Sequence, residues 1–190
     1  MTENIANSTA KELFQKQLEE SKNQDSEFFK QKYKHRLQNL NLLEKIILQN
    51  QQAIRDALMQ DFKKSFPETD TTEIIPILTE LKHTRKNLKK WMSPKSVKTP
   101  LLLMGSSSKI VREAKGVVLI ISPWNFPLNL AIIPLISALA AGNCVIIKPS
   151  EHTPHTSQLL SDMLSEIFDE SEVKVVLGGI KESQELLDLP

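Results

Sequence analysis

Residues 116–151 read GVVLIISPWNFPLNLAIIPLISALAAGNCVIIKPSE, and their apolar pattern predicts the central unit of the fold. Residues 117–121 form a short apolar run rich in β-branched side chains, which is typical of a strand buried on both faces. Residues 128–141 are also largely apolar and follow Pro127, which suits the first turn of a helix. A second strand-like run covers residues 144–148. This order predicts a βαβ unit with parallel strands, whose ligands bind beyond the carboxyl ends of the strands.

Two sequence motifs include those carboxyl ends: SPWNFP at residues 122–127 and AAGNCVIIKPSE at residues 140–151. Their pairing at this spacing resembles the NAD(P)-dependent aldehyde dehydrogenase superfamily, and residues 26–190 are most similar to its class 3 and fatty-aldehyde branch. The resemblance implies an α/β fold in which N-terminal helices precede a Rossmann-like parallel βαβ sheet. It also implies oxidation of an aldehyde to a carboxylic acid with NAD(P) as the cofactor.

We expect four parts along the chain. Residues 1–25 are polar with few apolar anchors, which predicts a poorly ordered or frayed segment. Residues 26–93 form a helical part, in which the apolar spacing between positions 29 and 58 predicts one long helix. Residues 94–108 are a linker rich in Ser and Pro. Residues 109–190 form an incomplete NAD(P)-binding α/β domain.

Composition and charge exclude several classes of protein. The chain has 24 Lys and Arg against 23 Asp and Glu, a net charge of +1, so no overall field favours nucleic acid. The basic cluster around Trp91 is interpreted as a solvated helix face, because no nucleic-acid-binding motif surrounds it. One cysteine excludes an internal disulfide framework, and the N-terminus lacks the pattern of a secretion signal, so we expect a cytoplasmic protein. The longest strongly apolar stretch, residues 128–141, is shorter than the ~20 residues of a membrane span, and no span is predicted.

Asn125 is the predicted catalytic residue of the first motif. A side-chain amide at a strand-to-helix turn can donate a hydrogen bond to the oxyanion that forms when a nucleophile adds to an aldehyde. The alternative interpretation of Asn125 is an N-cap of the following helix. The resemblance implies the oxyanion role for Asn125, and it implies that Ser122, Pro123 and Trp124 lie beside the cofactor.

The second motif supplies candidates for binding the adenosine end of the cofactor. Lys148 ends its strand, so its ammonium group can reach the hydroxyls of a ribose at the sheet edge, with a solvated lysine as the alternative. Glu151 can accept a hydrogen bond from the 2′-hydroxyl and would repel a 2′-phosphate, which favours NAD while NADP stays compatible. The resemblance adds Gly178 and Gly179, which match a glycine pair near the adenine. We predict no metal site, because Pro154 interrupts the helical turn that would align the neighbouring histidines.

The resemblance also implies catalytic groups that these 190 residues do not contain. The family's nucleophilic cysteine and general-base glutamate have no counterpart here, and Cys144 falls inside an apolar strand, where a thiolate is disfavoured. We therefore expect a shortened aldehyde dehydrogenase chain that is inactive alone. The alternatives are a non-catalytic nucleotide-binding or interaction module and a nonfunctional remnant. Open sheet edges predict self-association or pairing with a missing C-terminal half.

Overall fold

The computed structural model describes residues 3–25 and 29–190, with side chains for residues 10–23, 29 and 31–190. A short π-helical turn, Asp70–Ile74, joins the fourth and fifth helices, and a 3₁₀ turn, Leu101–Leu103, lies between the first two strands. The other elements follow in the order α1 (Glu3–Asp25), α2 (Phe29–Gln49), α3 (Gln51–Phe62), α4 (Phe66–Thr69), α5 (Ile75–Met92), β1 (Lys95–Val97), β2 (Ser108–Ile110), β3 (Val117–Ile121), α6 (Asn129–Ala141), β4 (Cys144–Lys148), α7 (Pro154–Ile167), β5 (Val173–Val175) and α8 (Ile180–Leu187).

Strands β3, β4 and β5 form a parallel sheet with β4 in the middle. The pairs run from Val117 opposite Cys144 to Ile121 opposite Lys148, so β3 and β4 are in register over their whole length. Both strands have the predicted bounds. Strand β5 ends at Val175, although the Val176 N–H still donates to the carbonyl of Ile147 at 2.8 Å. The predicted α/β fold class is confirmed.

Each face of the sheet packs against a different set of helices. The side chains of Val145 and Ile147 point into the main core, which also contains residues of α2, α3, α5, α6 and α7. Ile146 points to the other face, where it packs with Leu13 of α1 and Leu186 of α8. Alternate residues of a strand face opposite sides, so the continuous apolar run of β4 is explained by burial on both faces. The main core includes both the helical part and the sheet.

Helix α1 covers the second face of the sheet. Gln17 is fully buried, and its Nε2 donates to the backbone carbonyls of Val145 at 3.1 Å and Glu170 at 3.0 Å. Ser21 is also buried. Polar side chains thus fix the described part of this helix to the sheet, where apolar anchors are few. Residues 1–2 and 26–28, which flank α1, lie outside the described residues, and the four-part division stays a prediction.

Residues 29–58 are divided between two helices, α2 and α3, where one long helix was expected. Asn50 separates α2 from α3 with non-helical dihedral angles, and its Nδ2 donates to the carbonyl of Ile46 at 2.9 Å. A side chain that bonds to its own backbone competes with a continuing helix. Further along, the π-helical turn before α5 places Glu73 in the interior. Across the described residues, no helix combines the length and the hydropathy needed to cross a membrane.

Strands β1 and β2 form an antiparallel hairpin that spans the predicted linker. Lys95 pairs with Ile110, and Val97 pairs with Ser108. The Ser108 N–H donates to Oγ1 of Thr99 at 3.1 Å, which closes the hairpin beyond the last strand pair. Nearly all the residues of both strands are exposed.

Candidate functional site

The two predicted motifs meet at the carboxyl edge of the parallel sheet. Ile121, the last residue of β3, is paired with Lys148, the last residue of β4. Beyond this pair, the backbone N–H of Ser122 donates to the Lys148 carbonyl at 3.1 Å. Neighbouring strands lie roughly 4.8 Å apart, so the turn after β3 and the loop after β4 leave the sheet side by side.

Asn125 lies in the exposed turn between β3 and α6, and it does not cap the helix. Helix α6 begins at Asn129, whose backbone N–H donates to Oε2 of Glu73 at 2.8 Å. The backbone N–H of Leu128 donates to the same carboxylate. Because Glu73 satisfies the first N–H groups of α6, the N-cap interpretation of Asn125 is wrong for this structure. The Asn125 amide is left at the carboxyl edge of the sheet.

Glu73 is held by a buried ion pair with Lys64. The Lys64 Nζ lies 2.7 Å from Oε1 of Glu73, which is fully buried, and 4.6 Å from the centre of the Phe126 ring. Burial raises the pKa of Glu73 above its ordinary value, while the bond from Lys64 and the backbone N–H donors act in the opposite direction. This pair therefore links the helical part to the turn that carries Asn125. Sequence reasoning missed both residues, since they approach each other only through the irregular segment between α3 and α5.

Ser122, Pro123 and Trp124 form the start of the same turn. Ser122 is buried, and its hydroxyl group has no hydrogen-bond partner within the described chain. Pro123 is exposed, and Trp124 is about half exposed. The Trp124 ring packs against Phe62 of α3, with 6.2 Å between ring centres. The turn thus has one buried hydroxyl group without a partner and one exposed aromatic face.

Lys148 is buried beneath the surface of the edge, with an exposed fraction of 1%. Its Nζ donates to the carbonyl of Pro149 at 2.7 Å, so the structure supports neither a solvated lysine nor a side chain extended across the edge.

Glu182 accepts the backbone N–H of Gly179 at 2.6 Å. Backbone N–H groups lower the pKa of Glu182 below its ordinary value, and the charge of Lys148 adds to this effect. Glu182 was not predicted, although the spacing of Gly179 and Glu182 is that of a capping box.

Glu151 and Gly178 line a common groove of about 240 Å³ beside the carboxyl edge. Gly178 has φ +135°, which residues with a side chain rarely adopt, and a Cβ atom there would clash with the Glu182 carboxylate, so the groove wall requires glycine at this position. The volume falls below the ~300–1,000 Å³ of complete small-molecule sites. The other residues of the groove are Pro149, Ser150, Pro154, Ser157, Gln158 and Leu177.

A larger cavity of about 460 Å³ lies at the opposite end of the sheet. It is bounded by α2, α5 and the C-terminal end of α6, and its side chains include Arg36, Glu80, Arg112 and Glu113. In open parallel sheets, ligands bind beyond the carboxyl ends of the strands, so we take the smaller groove as the candidate site. Among the described residues, no group of three or more potential ligand side chains is placed to hold a metal ion.

Cys144 lies at the start of β4, far from the candidate site. Its exposed fraction is 1%, and burial raises the pKa of its thiol to about 12, with a further contribution from Glu172 and Glu20. It stands four residues before Lys148, which corresponds to roughly 13 Å along a strand. The thiol is therefore neither ionised nor near the carboxyl edge.

The fold and the edge loops define an α/β domain with a parallel sheet, and comparison with known proteins gives its family. The aldehyde dehydrogenase family model matches residues 2–189. Aldehyde dehydrogenase family 3 member B2 of Mus musculus is 44% identical over 153 residues, which cover 80% of this chain and 32% of the relative. The 4,4'-diaponeurosporen-aldehyde dehydrogenase of Staphylococcus aureus is 43% identical over 155 residues, which cover 82% of this chain and 34% of the relative.

A solved structure gives the same result at the level of the fold. The substrate-bound state of Staphylococcus aureus AldH superposes with a TM-score of 0.87 and 38% sequence identity, covering 95% of this chain and 38% of that one. The chain therefore belongs to the aldehyde dehydrogenase family. It spans about a third of the length of the curated relatives it matches. The family match includes α1, which lies before the resemblance that begins at residue 26.

Proposed function

We propose that this chain supplies the adenosine-binding half of an NAD(P) site and one oxyanion donor for the oxidation of an aldehyde to a carboxylic acid. The observation that carries the proposal is the parallel register of β3 and β4. That register places the Asn125 turn beside the loop that leads to Glu151. Membership of the aldehyde dehydrogenase family supports this proposed function for the carboxyl edge of the sheet.

The residues of the groove fit the adenosine end of a nicotinamide dinucleotide, which accepts a hydride when it is bound. The Glu151 carboxylate is exposed on the groove wall and accepts hydrogen bonds from ribose hydroxyls. The same negative charge repels a 2′-phosphate, so we propose NAD in preference to NADP. Gly178 lines the groove and Gly179 follows it, and neither has a side chain that would limit the approach of a ligand.

Lys148 acts from beneath the groove in this proposal. Its bond to the Pro149 carbonyl fixes the start of the loop that carries Glu151, and its charge lies close to the Glu182 carboxylate. Lys148 is buried, so a ribose hydroxyl reaches its ammonium group only when the loop after β4 shifts. The ammonium group has three N–H donors and can then keep its bond to Pro149. We propose that Lys148 binds and orients the ribose in this way.

Asn125 stabilises negative charge on the substrate oxygen. Its amide N–H donates to the oxygen as the carbonyl carbon becomes tetrahedral, and the exposed turn gives the substrate access. Pro123 and Trp124 lie beside the cofactor in this proposal, where the exposed part of the Trp124 ring offers an apolar contact. The nucleophile that attacks the aldehyde is not supplied by these 190 residues, because Cys144 is buried and its pKa is raised to about 12.

A second candidate function is a nucleotide-binding module without catalysis, and the lack of an accessible thiol in these residues favours it.

In the described chain, β3 and β5 are the outer strands of their sheet. We infer that their open edges favour association with a second copy or with a C-terminal half. A cytoplasmic location fits the unpaired thiol of Cys144.

Isothermal titration of the 190-residue chain with NAD, NADP, ADP and AMP tests the nucleotide site. We expect weak binding in which AMP and ADP compete nearly as well as NAD, because the groove holds only the adenosine end. Glu151→Gln lowers the affinity for NAD by roughly tenfold, since a charged hydrogen-bond acceptor is lost. It also reduces the preference for NAD over NADP, because the charge that repels a 2′-phosphate is removed. Glu166→Gln, a matched change at an exposed position of α7, leaves binding unchanged.

Lys148→Ala is the second variant of this test, and we expect it to weaken NAD binding. Far-UV circular dichroism reports whether this buried substitution leaves the fold intact. Tight NAD binding that is insensitive to both Glu151→Gln and Lys148→Ala would refute the assignment of the groove.

A further inference from the structure

Helix α7 is capped at its N-terminus by an aspartate from a distant helix. Asp61 belongs to α3, which packs against α7. Its Oδ1 accepts the backbone N–H of His155 at 3.1 Å. Its Oδ2 accepts the backbone N–H of Thr156 at 2.8 Å and the Thr156 hydroxyl at 2.7 Å. The first N–H groups of a helix have no partner within the helix, so a carboxylate in this position stabilises the first turn.

The residue directly before α7 bonds to the preceding loop and does not cap the helix. The side chain of Thr153 makes no cap hydrogen bond. Its hydroxyl donates to the Ser150 carbonyl at 3.3 Å and lies 3.3 Å from the Ser157 hydroxyl. Ser157 donates to the same carbonyl at 3.0 Å. Because Thr153 is used in this way, Asp61 takes its place as the cap of α7.

These hydrogen bonds attach the loop that carries Glu151 to the first turn of α7. Ser150, Thr153 and Ser157 are all buried, so each lost bond would leave a buried polar group without a partner. Glu151 itself is exposed on the groove wall, and the loop backbone decides where its carboxylate can reach. A continuous path of contacts thus runs from Asp61 through the first turn of α7 to this loop.

We propose that Asp61 is a positioning residue for nucleotide binding. It holds the first turn of α7 in the place from which the attached loop presents Glu151 to the 2′-hydroxyl of a ribose. The groove is lined by residues 149–158 and 177–178 in part, and Asp61 on α3 acts on the ligand only through them. Since this role rests on the proposed function of the groove, it adds a residue of the helical part to that site.

The ratio of the affinities for AMP and 2′-deoxy-AMP tests the proposal. The two probes carry the same charge and differ only in the 2′-hydroxyl, so the ratio reports the contact that Glu151 makes. We expect the 190-residue chain to bind AMP roughly tenfold more tightly than 2′-deoxy-AMP in titration calorimetry. Asp61→Asn lowers this ratio to about twofold, because an amide presents one acceptor oxygen where the carboxylate presents two.

Use of a ratio separates positioning from stability. A partly folded variant loses affinity for both nucleotides by the same factor, so its ratio stays that of the parent chain. Asp56→Asn is the matched control on the same helix, since Asp56 is exposed and accepts a bond from Gln52, and it leaves both affinities unchanged. A ratio in Asp61→Asn equal to that of the parent chain would refute the positioning role.

A double variant shows whether Asp61 acts through Glu151. If it does, Glu151→Gln combined with Asp61→Asn has the same ratio as Glu151→Gln alone, because the contact that Asp61 supports is already lost. A further fall of the ratio in the double variant would show that Asp61 reaches the nucleotide by another route, and it would overturn the proposal.

Nuclear magnetic resonance of the chain without nucleotide tests the path of contacts directly. We expect the backbone amide resonances of Glu151 and His152 to shift in Asp61→Asn and to stay in place in Asp56→Asn. Thr156→Val removes one of the three donors to Asp61 and keeps the branched shape, so it gives smaller shifts and replaces Asp61→Asn if that variant does not fold.

The two measurements distinguish failure of the positioning role from failure of the proposed function. If the parent chain binds neither AMP nor 2′-deoxy-AMP, the proposed function fails, and the loop resonances alone decide whether Asp61 positions the loop. If the parent chain binds AMP with the expected preference while the Glu151 and His152 resonances do not move in Asp61→Asn, the groove assignment stands and the positioning role is overturned.

Discussion

At the scale of single residues, the buried pair of Glu73 and Lys64 has the largest structural consequence. Glu73 makes two stabilising interactions: its carboxylate neutralises the Lys64 ammonium group and accepts the first N–H groups of α6. Removing one member of a buried ion pair leaves the other charge without compensation, and this costs more than the pair itself contributes.

We therefore predict that Glu73→Ala lowers the free energy of unfolding by about 3–5 kcal/mol. Guanidinium denaturation followed by circular dichroism measures the change. Glu68→Gln, at an exposed position of the preceding turn, serves as the control and shifts the midpoint little. The double variant Lys64→Met and Glu73→Gln recovers part of the loss, because no buried charge is left unpaired. A loss below about 1 kcal/mol for Glu73→Ala would contradict this account.

The residues at the carboxyl edge were predictable to different degrees. Asn125 and Glu151 were found because they stand directly after strands whose apolar runs are visible in the sequence. The burial of Lys148 was not foreseen, since it depends on how the loop after β4 folds back over the side chain. Glu73 was missed because Lys64 reaches it only through the irregular segment between α3 and α5, and because Asn129 comes from a segment 56 positions away.

At the scale of elements, strands were predicted more closely than the segments that dock by polar contacts. The bounds of β3 and β4 follow from apolar runs, which burial on both faces requires. Helix α1 has no such run, and its attachment to the sheet depends on the amide of Gln17 and on the Leu13 side chain. A pattern of apolar residues gives no sign of a glutamine whose side chain donates hydrogen bonds to strand carbonyls.

Gln17→Ala is expected to release α1 from the sheet. The substitution removes two hydrogen bonds to backbone carbonyls, one of them buried, and should cost roughly 1–3 kcal/mol. Hydrogen exchange of the α1 amides gives the measurement, with faster exchange in α1 than in α6. Gln15→Ala, an exposed position on the same helix, is the control. Unchanged protection of α1 in Gln17→Ala would show that the amide does not hold the helix.

At the scale of the whole molecule, the candidate site residues all lie at the carboxyl end of the parallel sheet. The carboxyl edge carries Asn125, Lys148 and Glu151, while Cys144 lies at the far end of β4. Covalent aldehyde oxidation requires a nucleophile within bonding distance of the carbonyl carbon. The α/β class was predictable because one short stretch contains a complete βαβ unit, whereas the contacts between the helical part and the sheet span the whole chain.

We predict that the isolated 190-residue chain produces no NADH from medium-chain or aromatic aldehydes. The absorbance of NADH is the measurement, and Cys144→Ser should give the same trace as the parent chain. A buried thiol with a pKa of about 12 is almost entirely protonated near neutral pH and cannot form the required adduct. Turnover that disappears in Cys144→Ser would overturn both the burial of this thiol and the catalytic incompleteness of the chain.

The docking of α1 has a consequence for the order in which the molecule is assembled during synthesis. Its glutamine binds carbonyls that lie 128 and 153 positions later in the sequence, whereas the three strands of the parallel sheet are close neighbours along the chain. A ribosome that adds 5–20 residues per second needs on the order of ten seconds between making this helix and making its binding surface. Helix α1 is thus synthesised well before the surface on which it docks. Throughout that interval its leucine face is open to chaperones and to other nascent chains.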